Sequence, residues 1–290
     1  MRIVYHLGAH CTDEERLLRC LLKNRASLAA EGIHVPGPTR YRNLLRDTAV
    51  ALKGKTASTE TQAMILEQIM EQDHADRLIL SWDNFLSYPP WALRGSLYPN
   101  AGERIRAFTR IFPEIEAEFH LSIRNPATFL PELYKRQKGK THDEFMDGVE
   151  PLRLRWSTMI AQVRALNPTV PLTIWCDEDT PLIWPDVLQT VSGHSNAVVL
   201  DGADALLASI VSAEGMLRMT AYLAENPPMS PDIRIGIVAA FLDKFADPSK
   251  IEVDVEMPGW TEALVAEMTE VYDADVAQIA QMPGLTFLTA

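Results

Sequence analysis

Between residues 6 and 15 the chain gathers His6, His10, Cys11 and Thr12, followed by Asp13, Glu14 and Glu15 in a row. Ile3 to Leu7 is an apolar run closed by Gly8, the composition of a buried parallel strand. Arg16 to Lys23 alternates charged and apolar residues at the spacing of an amphipathic helix. Strand, glycine turn and helix in that order frame a nucleotide-binding βα unit, in which N–H groups at the helix start hold a phosphate. Here three carboxylates stand at that start. They compensate the helix dipole and repel a polyphosphate. Thr12 and Glu15 have the spacing of a capping box, so the helix is expected to satisfy its own first donors.

Other residues in this region and beyond it carry chemistry. His10, in the loop, is the better candidate for an acid/base role because an imidazole titrates near neutrality; His6, on the strand, reads as a hydrogen-bonded core residue. Cys11 precedes a helix start, but the acidic triplet should raise its pKa and quench it as a nucleophile. Arg124, before Asn125-Pro126, could grip a phosphate or carboxylate with two prongs, or form a structural salt bridge. Two basic segments, Arg40-Tyr41-Arg42 and Lys135-Arg136-Gln137-Lys138-Gly139-Lys140, stand out in an acidic chain. No metal is expected, since His10 and Cys11 have no further ligands at a helpful spacing.

The elements that position these groups alternate. Strands are expected at 3–7, 77–81, 119–123 and 171–175. Helices are expected at 12–30, 41–53, 59–73, 101–112, 126–138, 150–166 and 180–192. Such alternation predicts an α/β fold, a parallel sheet flanked by helices on both faces, with ligands at the carboxyl ends of the strands. Gly8, Asp83, Arg124 and Asp177 each follow a strand and would line one rim. Beyond residue 200 strand signals almost vanish, and helices near 204–211, 213–225, 230–246 and 259–282 follow. The chain therefore divides into an α/β part, 1–200, and a helical C-terminal portion, 201–290, packed on the same domain, with a soft boundary near 195–203.

The 290 residues are 47% hydrophobic and 23% charged, with a net charge of −12. That charge argues against a nucleic-acid or anionic-membrane partner, both of which need a basic face. No apolar run reaches the length of a membrane span, and Met1-Arg2 leads straight into a strand-like segment rather than a signal peptide. Three scattered cysteines with no C-x-x-C read as reduced thiols. The expected location is cytoplasmic.

His-Leu-Gly-Ala-His-Cys-Thr-Asp-Glu-Glu, residues 6–15, resembles the opening motif of bacterial sulfotransferase-family proteins, His-Ile/Val-Gly-x-x-Lys-Thr-Gly-Thr-Thr. Leu80-Ser81-Trp82-Asp83 is similar to the family's strand ending in Ser-Ser-Glu, and Leu121 to Pro126 to the strand ending in Arg-Asp/Asn-Pro. Trp175 to Asp179 resembles the later Tyr-Glu-Asp element, Val271 to Val276 the final Tyr-x-x-Asp helix, and Gly32 to Pro36 a Gly-Ile-x-Tyr/Val-Pro turn. The resemblance spans most of the chain and implies a P-loop-like fold that binds PAPS, the 3′-phosphorylated sulfate donor, or its product PAP. It implies that Gly8, Ala9, Cys11 and Thr12 surround the 5′-phosphosulfate, that Arg124 holds the 3′-phosphate, that Arg42 approaches the donor, and that Asp83 or His10 deprotonates the acceptor. The chain departs from the family where phosphate is held. The motif Lys is Cys11, Gly-Thr-Thr is Asp13-Glu14-Glu15, and the Ser eight positions after the Arg is Glu132.

Three readings follow. In the first, a sulfotransferase-family protein has lost PAPS chemistry and acts as a binding or regulatory module for a small-molecule ligand or protein partner. In the second, an active sulfotransferase transfers a sulfuryl group to a small hydroxylated acceptor and recruits Arg42 or Lys135 as replacement cation. In the third, a different enzyme on the same frame binds a cationic or neutral ligand against the acidic loop.

Overall fold

A computed structural model describes residues 1–72, 74–251 and 255–290. The chain opens with β1 (Arg2–His6), α1 (Arg16–Lys23), α2 (Arg25–Ala29), β2 (Ile33–His34), α3 (Pro38–Leu52), α4 (Thr59–Ile69) and β3 (Arg77–Ser81). A small antiparallel hairpin, β4 (Leu93–Arg94) and β5 (Ser96–Leu97), precedes α5 (Ala101–Thr109), β6 (Glu116–Ile123), α6 (Pro126–Lys135) and α7 (His142–Met146). Then come α8 (Trp156–Leu166), β7 (Leu172–Cys176), α9 (Thr180–Ser192), α10 (Ala205–Ile210), α11 (Ala213–Glu225) and α12 (Pro231–Phe245). The last elements are α13 (Pro248–Ile251), α14 (Glu262–Ala280) and β8 (Leu285–Leu288).

The main sheet is parallel throughout, with six strands in the order β2-β3-β1-β6-β7-β8. The four strands expected from the sequence are its centre. β1 lies between β3 and β6, so Tyr5 stands beside Leu80 and Phe119, and His6 beside Ser81 and His120. From β1 the chain builds one half of the sheet, then returns to build the other half from β6 outward. The crevice at the carboxyl ends of β1 and β6 is therefore a topological switch point, where such sheets bind ligands.

Because strand side chains alternate, each face has its own core. Tyr5, Leu80, Phe119, Leu121 and Ile174 face α3, α5, α6, α8 and α14. Val4, Ile79 and Trp175 face α1, α2 and α9. Leu207, Met219 and Val238 form a satellite core among α10, α11 and α12.

The expected helix over 12–30 starts at Arg16 and is interrupted at Asn24, whose amide donates to the carbonyls of Cys20 and Asp201 and accepts from Asp201 N–H. The expected helix over 150–166 starts at Trp156, where the Asp275 carboxylate accepts N–H bonds from Trp156 and Ser157. The larger correction is at the C-terminus: the portion read as helical ends in β8, which pairs with β7 from Leu172↔Leu285 to Trp175↔Leu288. A run of four residues carries too little periodicity to announce a strand, and the open edge of β7 supplies its pairing. Among the described residues no helix is long and apolar enough to cross a membrane.

Candidate functional site at the carboxyl rim

The loop after β1 first extends the sheet and then turns sharply. Leu7 and Ala9 N–H donate to the carbonyls of His120 and Ser122 at 2.8 and 2.9 Å, and Ser122 N–H donates to Gly8 at 2.7 Å. Gly8 has φ of +91°, and a Cβ there would stand 3.0 Å from Cβ of Asp83. Only glycine lets the β1 and β3 loops approach this closely. Cys11, Glu14 and Glu15 also have positive φ (58°, 49° and 63°), a concentration of strained backbone of the kind found at ligand sites.

The helix start is closed by Asp13 alone. Its carboxylate accepts Glu15 N–H at 3.2 Å and Leu17 N–H at 3.0 Å. The expected Thr12–Glu15 capping box does not form. Thr12 Oγ1 instead donates to the Ala9 carbonyl at 2.8 Å, and Glu15 pairs with Arg42 at 2.7 Å. The anion position at the mouth of α1 thus holds a carboxylate from the chain itself.

The neighbouring cations are similarly engaged. Arg42 also donates to the Ser81 carbonyl at 3.0 and 3.3 Å, which Tyr41 hydroxyl reaches at 2.7 Å. Arg124 donates to the Cys11 carbonyl at 2.5 Å and to Thr128 Oγ1 at 3.0 Å, so its anchors here are a backbone carbonyl and a hydroxyl. Glu132 pairs with Lys135 at 2.9 Å. Asp83 does not cap the short turn that begins there; its carboxylate faces Arg136 at 4.0 Å and His10 at 3.8 Å.

Gly8, Ala9, Cys11, Thr12, Arg42 and Asp83 line one cavity of about 440 Å³, joined by His6, Asp13, Glu14, Glu15 and Arg136. Arg124 lies in an adjacent cavity of about 530 Å³, with Thr128, Asp177 and Trp184. Thr12, Asp13 and Glu14 border both. The site residues read from sequence therefore fall at one rim but in two compartments.

His10 is 1% exposed and lies behind the first cavity. Its Nδ1 meets Tyr98 hydroxyl at 2.7 Å. The Asn84 amide, oriented by Trp82 Nε1 and the Ser87 carbonyl, donates to Nε2 at 3.1 Å. With both ring nitrogens engaged and burial lowering its pKa, His10 is a neutral structural imidazole. Cys11 is buried, and burial above all pushes its thiol to about 11. The shift has the expected direction, but its causes are burial first and the Glu132 and Asp83 carboxylates after it, against the lowering by Arg136 and Arg124, and not the acidic triplet.

The imidazole that meets the cavity is His6. It is 2% exposed, stacks on Trp175 and bonds Ser81 Oγ through Nδ1 at 2.9 Å, while Nε2 has no partner. His120, beside it, meets Glu118 at 2.6 Å, and Glu118 is also held by Arg77 at 2.7 and 3.0 Å. Glu118, His120 and Ser122 alternate with Phe119, Leu121 and Ile123 along β6. That two-residue polar period inside a buried strand is the sequence signal for this polar face.

At the far side, the two motifs nearest the C-terminus meet. Tyr272 hydroxyl donates to Glu178 at 3.1 Å, and Glu178 accepts Asn125 N–H at 2.7 Å. Trp156 Nε1 donates to the Arg124 carbonyl at 2.8 Å. These residues fasten α8 and α14 to the rim. Beside them burial raises the Asp177 carboxyl to about 7. No metal-binding cluster occurs among the described residues.

Chemically the rim offers carboxylates, a buried imidazole and arginines that mostly bond the chain's own carbonyls and carboxylates, while the β1 loop itself, from Leu7 to Glu15, contributes no Lys or Arg. Comparison with protein families, curated proteins and solved structures finds no match for the chain.

Proposed function

We propose that the protein is a sulfotransferase-like, P-loop-related α/β protein that has lost PAPS chemistry and serves as a binding or regulatory module in the cytoplasm. Its partner is a small-molecule ligand or another protein. The observation that carries this reading is the Asp13 carboxylate, which already accepts Glu15 and Leu17 N–H where a donor phosphate would bind. A phosphosulfate would have to displace it and then sit beside Glu14 and Glu15. Position 11 offers a neutral thiol, and Arg42 is committed to Glu15. An oxyanion transition state without a preorganised cation loses on the order of 3 kcal/mol per missing contact. The three free cysteines are buried, in keeping with a reducing compartment.

One observation favours the alternative of active sulfuryl transfer from PAPS to a small hydroxylated acceptor. Arg136 faces Asp83 across the cavity at 4.0 Å, the arrangement of a replacement cation beside a carboxylate base. In that case Asp83 takes the acceptor proton as the sulfuryl group leaves the donor phosphate.

The experiment that tests the main reading restores the missing loop. Cys11→Lys with Asp13→Gly, Glu14→Thr and Glu15→Thr removes three negative charges and adds one positive charge at the helix mouth. PAP binding by calorimetry is expected to appear or strengthen in this variant. A folded variant with no gain would refute the acidic loop as the barrier.

A further inference from the structure

The second rim compartment combines apolar side chains with two opposite charges that do not satisfy each other. It encloses about 530 Å³, within the usual range for a small-ligand site. Its apolar lining is Pro181, Trp184, Leu206, Ile210 and Ile251. Arg124 and Asp177, which follow β6 and β7, belong to its polar lining together with Thr128.

Asp177 is half-buried, and its carboxylate accepts no hydrogen bond and joins no ion pair among the described residues. Arg124 lies near enough for its charge to act on that carboxylate, yet the two do not pair. Burial prevails and raises the carboxyl, as expected of a group deprived of donors. Arg124 spends Nε on Thr128 and one N–H of Nη1 on the Cys11 carbonyl. The other N–H of Nη1 and both of Nη2 remain. One cavity thus holds unspent donors on a cation and unspent acceptors on a carboxylate. Its other carboxylates are engaged: Asp13 at the helix start, Glu14 facing Arg16 at 3.6 Å, and Glu178 on Asn125 N–H and Tyr272 hydroxyl.

We infer that this cavity binds an α-amino acid with an apolar side chain, its carboxylate on the free N–H groups of Arg124, its ammonium on the Asp177 carboxylate, and its side chain against Trp184 and Leu206. An anion alone at Arg124 would sit near Asp177, and a cation alone at Asp177 would sit near Arg124. A zwitterion answers both charges at once, through charge-assisted hydrogen bonds at each end. The apolar lining then buries a hydrocarbon or aromatic body. The inference rests on the loss of phosphate chemistry, since a donor phosphate would otherwise claim Arg124.

Calorimetry on the wild-type protein tests it with L-leucine and L-phenylalanine as probes. Each is compared with the analogue lacking the ammonium (isocaproate, hydrocinnamate) and the analogue lacking the carboxylate (isoamylammonium, phenethylammonium). At least one of the two amino acids is expected to bind at least about tenfold more tightly than both of its analogues and than glycine, which has no side chain to bury. Asp177→Asn, which keeps the shape and removes the charge, is expected to weaken that binding by at least about tenfold while its thermal melt shows a folded protein. No binding of either amino acid, an analogue or glycine binding as tightly, or undiminished binding by a folded Asp177→Asn variant would each overturn the inference. A parallel PAP titration separates the two readings. Silence from PAP and from both amino acids defeats the amino-acid site alone, whereas tight PAP binding defeats the loss of phosphate chemistry on which it rests.

Discussion

Single residues decide what this rim can hold. Asp13 turns a phosphate-type helix start into a self-capped one by placing its own carboxylate on the two donors an anion would use. Gly8 fixes the distance between the β1 and β3 loops, since a methyl group there meets Asp83 at 3.0 Å while φ is +91°. Gly8→Ala is accordingly expected to destabilise the fold by about 1–3 kcal/mol, through left-handed strain plus displacement of Asp83; urea denaturation measures it, and an unchanged midpoint would show the loops can separate freely. Asp177 makes the opposite case. Burial raises its carboxyl from the ordinary 3.8 to about 7, so its ionisation costs stability increasingly as pH rises through that interval. Asp177→Asn removes the cost and is expected to raise Tm by about 3 °C at pH 8 with no gain at pH 4. Scanning calorimetry at the two pH values checks this, and equal shifts would show that the effect is not ionisation.

Elements meet through a few polar fasteners, and these explain why distant motifs recur along the chain. Asp275 on α14 accepts Trp156 and Ser157 N–H and the Ser157 hydroxyl, so one carboxylate both caps α8 and ties it to the last helix. Tyr272, one turn earlier, reaches Glu178 at the end of β7. Asp275→Ala would leave buried donors unsatisfied and is expected to cost about 3 kcal/mol or more, seen as a lower urea midpoint. A loss below about 1 kcal/mol would mean α8 is held by packing alone. The central strands and most helices were legible in the sequence because their apolar runs and amphipathic spacing are long. β8 was not, since four residues at an edge take their conformation from β7. The two-compartment rim was not legible either. Chain order shows that Asp83 and Arg124 each follow a strand, but not that Asp13 and Thr12 stand between them, nor that Tyr98 and Asn84 enclose His10.

At the scale of the whole molecule, four imidazoles are buried in or against the parallel sheet. His6, His10, His34 and His120 are all held below the ordinary 6.5, in each case by burial first, with nearby carboxylates opposing. A depressed folded pKa means that unfolding takes up protons. The stability these groups contribute is complete above about pH 6.5 and falls as pH drops below it. Glu118 adds to the loss at lower pH: burial opposes its charge, but His120 and Arg77 outweigh burial and hold it at about 2, so its contribution fades only below its ordinary 4.5. Asp177 works in the other direction and is outnumbered. The urea midpoint is expected to drop between pH 7.5 and 5.5, and a midpoint that stayed level would contradict the neutral buried histidines.

The central claim is that the helix start which would hold a donor phosphate is filled by Asp13. Calorimetric titration of the wild-type protein with PAP, paired with a thermal melt at saturating PAP, addresses it most directly. The expected result is no binding heat and an unmoved melting temperature. PAP bound at 100 times its Kd would stabilise the fold by roughly 2.7 kcal/mol, and a melting temperature raised accordingly would contradict the claim.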